Sequence, residues 1–234
     1  MLVERGLAES RERARALILA GEVSSEGKRV DKPGALLPSG AKLEVAAPLR
    51  YVSRGGYKLE AALDAFQIDA RGKVAIDVGA STGGFTDCLL QRGAARVYAL
   101  DVGYGQLDWR LRQDPRVVNI ERQNVRYLPG ELIPERPQLA TFDVSFISLT
   151  LVIPPVLPLL AGGADIVVLV KPQFELSPAD VPKGVVRDEA KRRQAAQRIR
   201  GFAEAAGLSV LNEVPSPIAG PKGNREIFLH FRRP

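Results

Sequence analysis

Two lysines and two carboxylates, Lys58, Asp143, Lys171 and Glu226, have types and positions that could do chemistry together. Lys171 closes the apolar run Asp165–Val170, and Pro172, which has no N–H to donate, stops the ladder and leaves the lysine at a sheet rim. Asp143 lies in the run Thr141–Phe146, Glu226 opens the last run after Gly223-Asn224-Arg225, and Lys58 sits on a helix that precedes the first run. A lysine crowded by another cation and partly desolvated has a lowered pKa and can serve as a base. Carboxylates beside it can orient both the lysine and an attacking oxygen. Such a set suits a hydroxyl that is a poor nucleophile at neutral pH, because group transfer to it otherwise needs mainly proximity and alignment. Each residue alone reads as a solvated charge or a turn residue; four of them on four separate elements carry the argument.

A second constellation is Asp77-Val-Gly79-Ala80-Ser81-Thr-Gly83-Gly84-Phe85, at the end of the first strand-like run. Glycine belongs where a ligand must approach the backbone and a Cβ would block it. The spacing D-x-G-x-x-x-G-G differs from the G-x-G-x-x-G of dinucleotide proteins. It resembles the first motif of S-adenosylmethionine-dependent methyltransferases, whose turn cradles the methionine part and the ribose. Asp101 ends the second run, 22 positions after Gly79, where two carboxylate oxygens can accept both ribose hydroxyls. Asn124 follows the third run and offers a donor and an acceptor for an adenine edge.

These residues need a sheet to hold them. Apolar runs at Val74–Val78, Val97–Val102, Val117–Ile120, Thr141–Phe146, Asp165–Val170, Ser209–Val214 and Glu226–Phe231 alternate with helical segments, the first of them Lys58–Phe66. Seven strands with intervening helices predict an α/β, mostly parallel, doubly wound sheet, Rossmann-like. The last two strands, joined by Pro215–Asn224, are expected to pair antiparallel at an edge. Ligands in such folds bind beyond the carboxyl ends of strands, where the strand order reverses.

Residues 1–46 have a different, short and basic pattern. Ser10 is placed to cap a helix that runs to Ala20 with Ala14, Leu17 and Ile18 on one face, and Gly21 ends it. Short strand-like pieces at Glu22-Val-Ser and Lys42–Ala46 follow, so a small α+β module is expected, then a link over 47–52 containing Pro48, then one domain over 53–234. Arg11 and Arg15 share a helix face at i, i+4 and suit phosphate contacts. The run Lys191-Arg-Arg193 with Arg198 and Arg200 reads as a solvated helix face.

Taken as a set, Lys58, Asp143, Lys171 and Glu226 resemble the K-D-K-E tetrad of FtsJ-type (RrmJ-like) RNA 2′-O-methyltransferases. The phrases Tyr51-Val-Ser-Arg-Gly-Gly-Tyr-Lys, Asp77-Val-Gly-Ala-Ser-Thr-Gly-Gly-Phe-Thr-Asp, Asp143-Val-Ser-Phe-Ile-Ser and Val170-Lys-Pro-Gln-Phe-Glu resemble the TlyA family, known both as haemolysin A-like proteins and as ribosomal RNA 2′-O-methyltransferases. That resemblance covers essentially the whole chain. It implies S-adenosylmethionine held by Asp77, Gly79, Ala80, Ser81, Gly83, Gly84, Phe85, Asp101 and Asn124. It implies Lys171 as the base-like residue, with Lys58, Asp143 and Glu226 positioning and tuning it. The N-terminal residues resemble an S4 RNA-binding module, which implies RNA contacts by Arg5, Ser10, Arg11, Arg15 and Lys28, with Arg54 beside the catalytic domain's first helix. Family members carry a few more residues ahead of this start, including an Arg-Leu-Asp, so a late-started chain with a weakened first helix is expected.

Composition bounds the alternatives. A formal charge of +6 fits a polyanionic partner, and the resemblance implies that this partner is structured ribosomal RNA or a ribosomal subunit. One cysteine, Cys88, and one histidine, His230, exclude an internal disulfide and a His- or Cys-rich metal site. The most apolar stretch, Ile153–Val170, is broken by three prolines and Asp165, so no membrane span is expected, and a charged N-terminus argues for a cytoplasmic protein. A membrane-active haemolysin lacks the segment it needs. An RNA-binding accessory protein without catalysis is opposed by the intact tetrad. Base N-methylation commonly uses an Asn/Asp-Pro-Pro-Tyr/Phe strand end, which Asp143-Val-Ser-Phe is not.

Overall fold

The computed structural model describes residues 1–20, 23–45, 50–220 and 222–234. The chain divides into two compact units, Met1–Arg50 and Tyr51–Pro234.

In the first unit, helix α1 (Arg11–Ala20) is capped by Ser10, whose Oγ accepts the Arg13 N–H at 3.1 Å. Strands β1 (Val23–Ser25), β2 (Lys28–Arg29) and β3 (Leu43–Val45) form an antiparallel sheet in the order β2-β1-β3. Leu17, Val23 and Val30 pack with Leu2 and Ala8, and Ala14 and Ile18 close over them, so the helical apolar stripe faces the sheet. The expected stop at Gly21 and the link residues 47–49, Pro48 among them, lie outside the described residues.

The second unit is a seven-stranded sheet in the order β6-β5-β4-β7-β8-β10-β9. Its strands are β4 (Val74–Val78), β5 (Arg96–Leu100), β6 (Val117–Ile120), β7 (Leu139–Phe142), β8 (Asp165–Val170), β9 (Ser209–Pro215) and β10 (Ile227–Arg232). Strands β4 to β8 are parallel, and β10 runs antiparallel between β8 and β9. The reversed last strand is thus held on both sides and β9 takes the edge, which agrees with its largely exposed side chains. Alternation along β4 sends Ile76 and Val78 to one face of the sheet and Ala75 to the other, where separate cores form against the flanking helices. Helices α2 (Gly55–Phe66) and α3 (Gly84–Gln91) pack together on the second face. Short helices α4 (Trp109–Gln113), α5 (Leu149–Val152) and α6 (Pro172–Glu175) and the longer α7 (Glu189–Ala205) complete the unit.

Three expected strands have different ends, and each difference bears on the site. The run Thr141–Phe146 stops being a strand at Phe142. The Asp143 N–H still donates to the Val78 carbonyl at 3.0 Å, but beyond Val78 strand β4 turns away at Gly79 and leaves no ladder to join. Residues 143–148 therefore form a loop, in which Phe146 has a φ of 63° and is exposed. Strand β5 ends at Leu100 rather than Val102: its last carbonyl accepts the N–H groups of Gly79 and Ala80 at 2.8 and 3.1 Å, where β4 leaves the ladder. Glu226 precedes β10 instead of opening it. His230, the only histidine, is buried at the far end of the sheet with Nε2 3.0 Å from Asp165 Oδ1.

Candidate active site

The strand order reverses between β4 and β7, with β5 and β6 on one side and β8 and β10 on the other. Two cavities open beyond the carboxyl ends of these strands. The first, about 460 Å³, is lined by Gly79, Ser81, Asp101, Asn124, Val125 and Asp143, with Phe146 and Ile147 on its wall. The second, about 290 Å³, is lined by Arg54, Lys58, Gly84, Phe85, Lys171 and Glu226. Gly79, Ser81, Asp143 and Ser145 line both, so the two spaces adjoin.

The glycine turn lies on that boundary. Gly79 has a φ of 87°, and a Cβ on it would come 2.7 Å from the Asp143 carbonyl oxygen. Only glycine lets β4 end this close to the loop after β7. A Cβ on Gly84 would lie 2.2 Å from Ser53 Oγ, so the start of α3 and the entry to α2 approach backbone to backbone. Gly83 caps α3 with a φ of 96° and lines neither cavity. Ala80 and Phe85 line the second.

Asp77 lies beneath this turn and lines neither cavity. It is fully buried, accepting the Thr86 hydroxyl at 2.7 Å and the Thr141 hydroxyl at 2.9 Å. Complete burial pushes its carboxyl up to about 7, although both hydroxyls favour the charged form. Its contacts tie α3 and β7 to β4, a role that spacing alone does not reveal.

Asp101 stands at the end of β5 with Oδ2 accepting the Ser81 N–H at 2.8 Å and Oδ1 the Gly103 N–H at 2.7 Å. Each oxygen retains a lone pair for a further donor. Asn124 lines the same cavity, and its Oδ1 accepts the Arg126 N–H at 3.1 Å, leaving the side-chain NH₂ as the outward donor.

The four candidate catalytic residues come together around the second cavity as two ion pairs. Lys58 Nζ is 2.5 Å from Glu226 Oε2, and both residues are buried. Lys171 Nζ is 2.6 Å from Asp143 Oδ1, as a charge contact, and donates a hydrogen bond to Ser145 Oγ at 3.0 Å. The expected crowding of a lysine by a second cation is thus replaced by a carboxylate against each lysine. Helix α2 carries Lys58 inward because its buried face reads Gly56, Lys58, Leu59, Ala62, Leu63 and Phe66. Ser145, Ser53 and the pair Ile218–Ala219 also border the site; no spacing signal marks them, because a loop folds them in.

In the first unit, Arg11, Arg15 and Lys28 are exposed, with Arg11 and Arg15 beside Lys32 around a further cavity of about 530 Å³. Arg5 is turned toward its own unit, donating to the carbonyls of Ala41 and Ser39, and Ser10 is occupied as the cap of α1. Arg54 is exposed and lines the second cavity. Among the described residues no group of three or more His, Cys, Asp or Glu side chains could hold a metal ion, and no helix is long and apolar enough to cross a membrane.

A seven-stranded sheet with a reversed seventh strand and a glycine turn at its switch point defines the class: a Rossmann-like methyltransferase fold. The N-methyltransferase NodS of Bradyrhizobium japonicum shares that fold at 16% identity and a TM-score of 0.53, covering 77% of this chain and 94% of the other. The family model for FtsJ-like methyltransferases matches residues 51–233, and that for the S4 domain matches residues 1–43. The chain belongs to the FtsJ-like methyltransferase family. It is 47% identical to the 16S/23S rRNA (cytidine-2′-O)-methyltransferase TlyA of Mycobacterium tuberculosis, over 99% of this chain and 87% of that one. It is 42% identical to Hemolysin A of Brachyspira hyodysenteriae, over 97% and 95%. A solved structure from Streptococcus thermophilus superposes with a TM-score of 0.80 at 44% identity and covers 99% of this chain and 86% of that one.

Proposed function

We propose that the chain is an S-adenosylmethionine-dependent ribosomal RNA 2′-O-methyltransferase, with residues 1–46 as an RNA-binding module and 53–234 as the catalytic domain. The observation that carries this reading is the Lys171–Asp143 pair, 2.6 Å apart, on the boundary between a cavity edged by Gly79 and Asp101 and a second one holding Lys58 and Glu226. A ligand space and a proton-handling space meet at that point. The name of the relative from Mycobacterium tuberculosis, a 16S/23S rRNA (cytidine-2′-O)-methyltransferase, supports this reading.

The first cavity fits S-adenosylmethionine. Asp101 has carboxylate lone pairs for a ribose diol, the Asn124 NH₂ can meet an adenine edge, and Val125 and Ile147 supply apolar wall. Gly79, which carries no Cβ, and Ser81 form the edge of that cavity, with Ala80, Gly83, Gly84 and Phe85 shaping the turn and Asp77 supporting it from below. When bound, the cofactor supplies an electrophilic methyl group on a sulfonium.

The protein's part is alignment and proton handling. Asp143 and Lys171 flank the ribose hydroxyl, and an O–H turned to the Lys171 nitrogen leaves an oxygen lone pair directed toward the first cavity. Lys171 acts as base from its neutral amine: it takes the hydroxyl proton as the new C–O bond forms and the methyl–sulfur bond breaks, and Asp143 and Ser145 hold the ammonium that results. The Lys58–Glu226 pair closes the opposite wall and orients the sugar. Arg11, Arg15, Lys28 and Arg54 contact the RNA backbone, with Arg5 and Ser10 shaping the module. The test is label transfer from tritiated S-adenosylmethionine to undermodified ribosomal subunits. Lys171→Ala is expected to lower transfer by about 10²–10⁴-fold while leaving cofactor binding by calorimetry intact. A mutant as active as wild type removes the mechanism, and a wild type that neither binds cofactor nor transfers label removes the function.

A further inference from the structure

Most of the arginines and lysines that make helix α7 conspicuous in the sequence are neutralised at home. Lys191 pairs with Asp180 at 2.6 Å, Arg193 with Glu189 at 3.6 Å and Arg200 with Glu213 at 3.2 Å. Two loop segments of the same unit behave differently. Lys183 and Arg187 lie on one, Lys222 and Arg225 on the other, all four are exposed, and none is within 4.0 Å of a carboxylate oxygen among the described residues. We infer that these four cations form a seat for the phosphate backbone of the RNA next to the ribose that is modified. The inference rests on the reading of the chain as an RNA 2′-O-methyltransferase.

Asn224 holds the two segments together. It is 3% exposed; its Oδ1 accepts the Val186 N–H at 2.9 Å and its Nδ2 donates to the Gly184 carbonyl at 2.9 Å. Its own carbonyl accepts the Gly220 N–H at 2.9 Å. This clasp fixes the left-handed turn at Lys183 and Gly184, with φ of 55° and 78°. It brings the Lys222 ammonium within 3.5 Å of the point where a Cβ on Gly184 would stand. The same segment carries Ile218, Ala219 and Glu226 into the second cavity, and Arg225 is the residue before Glu226. Lys222 and Arg225 are therefore carried on the segment that walls the space proposed for the ribose, and Asn224 ties the segment of Lys183 and Arg187 to it.

Chemistry selects the partner. A ribose in that cavity carries phosphates on its 3′ and 5′ sides, so the strand must continue over the bordering surface. Lysines supply point charges and arginines planar forks for phosphate oxygens. Holding four like charges on two joined segments with no ion pair to any of them is unfavourable in the free protein, and a polyanion relieves it.

The test is the salt dependence of binding of the full-length protein to undermodified ribosomal subunits, followed by sedimentation. A variant carrying Lys183→Gln, Lys222→Gln and Arg225→Gln is compared with wild type and with Lys191→Gln/Arg193→Gln. Each lost phosphate contact lowers the magnitude of the slope of log K against log salt by about 0.7–0.9, so a drop of about 2 is expected. KM for the subunits should rise about 10-fold or more, with cofactor binding unchanged and the α7 variant matching wild type. Lys183→Gln/Arg187→Gln, which leaves the segment of Glu226 untouched, should show part of the same drop. Slopes and KM equal to wild type in both loop variants overturn the seat, as does an equal drop in the α7 variant. If wild type itself binds no cofactor and transfers no label, the functional reading has failed and the seat falls with it.

Discussion

Replacing Lys58 and Glu226 by methionine, singly and together, should show strong non-additivity in stability. The two charges are 2.5 Å apart and both residues are buried. At an effective dielectric near 20 their gross attraction is about 7 kcal/mol. Desolvation of each ion costs several kcal/mol, so the pair as a whole is close to neutral against an apolar replacement. Removing one partner leaves the other charge stranded, and Lys58→Met or Glu226→Met alone should cost about 3–5 kcal/mol. The double variant keeps comparable volume and strands nothing, so it should be more stable than either single one. The coupling from a double-mutant cycle should be at least ~2 kcal/mol. Equilibrium denaturation of the four proteins measures it, with label transfer recorded in parallel. All three variants should be inactive, because both side chains line the proposed ribose cavity. Single losses that add within about 0.5 kcal/mol, or a Lys58→Met protein as stable as wild type, would show that the pair is not coupled in solution as it is here.

Three further outcomes follow from the geometry. Gly79→Ala places a Cβ 2.7 Å from the Asp143 carbonyl and forces an L side chain into a φ of 87°; it should destabilise by roughly 2–4 kcal/mol and cut transfer about 100-fold by displacing Asp143, and unchanged melting together with unchanged kcat would contradict this. Asp77→Asn keeps a hydrogen bond to each threonine while removing a charge whose folded pKa, about 7, lies above its unfolded value. The neutral form favours folding, so the penalty on wild type grows as pH rises from about 4 and is complete above about 7, of the order of 4 kcal/mol. The variant should gain stability over wild type between pH 5 and pH 8, and a constant difference across that range would refute the assignment. Asp101→Ala should weaken S-adenosylmethionine binding about 10- to 100-fold in calorimetry, through loss of a charge-assisted acceptor, with KM for the RNA unchanged; equal weakening of both would mean that the turn has collapsed.

Much of the fold was legible because short-range patterns report it. Val74–Val78 is a short apolar run that ends in a turn that only glycine can make, so strand and cofactor turn both follow from neighbours in the chain. Ser10, Leu17 and Ile18 announce α1 in the same way. The types and rim positions of Asp101, Asp143, Lys171 and Glu226 are also set locally, by the ends of apolar runs. The tertiary structure decided the pairing. Lys58 meets Glu226 across 168 residues, and Lys171 meets Asp143 across neighbouring strands, so each lysine faces a carboxylate where the sequence suggested crowded cations. Asp77 looks like a ligand contact by spacing, yet Thr86 and Thr141 enclose it, because α3 and β7 pack over it from outside its own strand. The loop that frees Asp143 exists because β4 leaves the ladder at Gly79, and the seat of Lys183 and Lys222 exists because Asn224 joins two loops. Periodicity and turn chemistry act over a few residues and are written in order along the chain. Which charges meet and which are enclosed depends on packing between segments far apart, which no local pattern encodes.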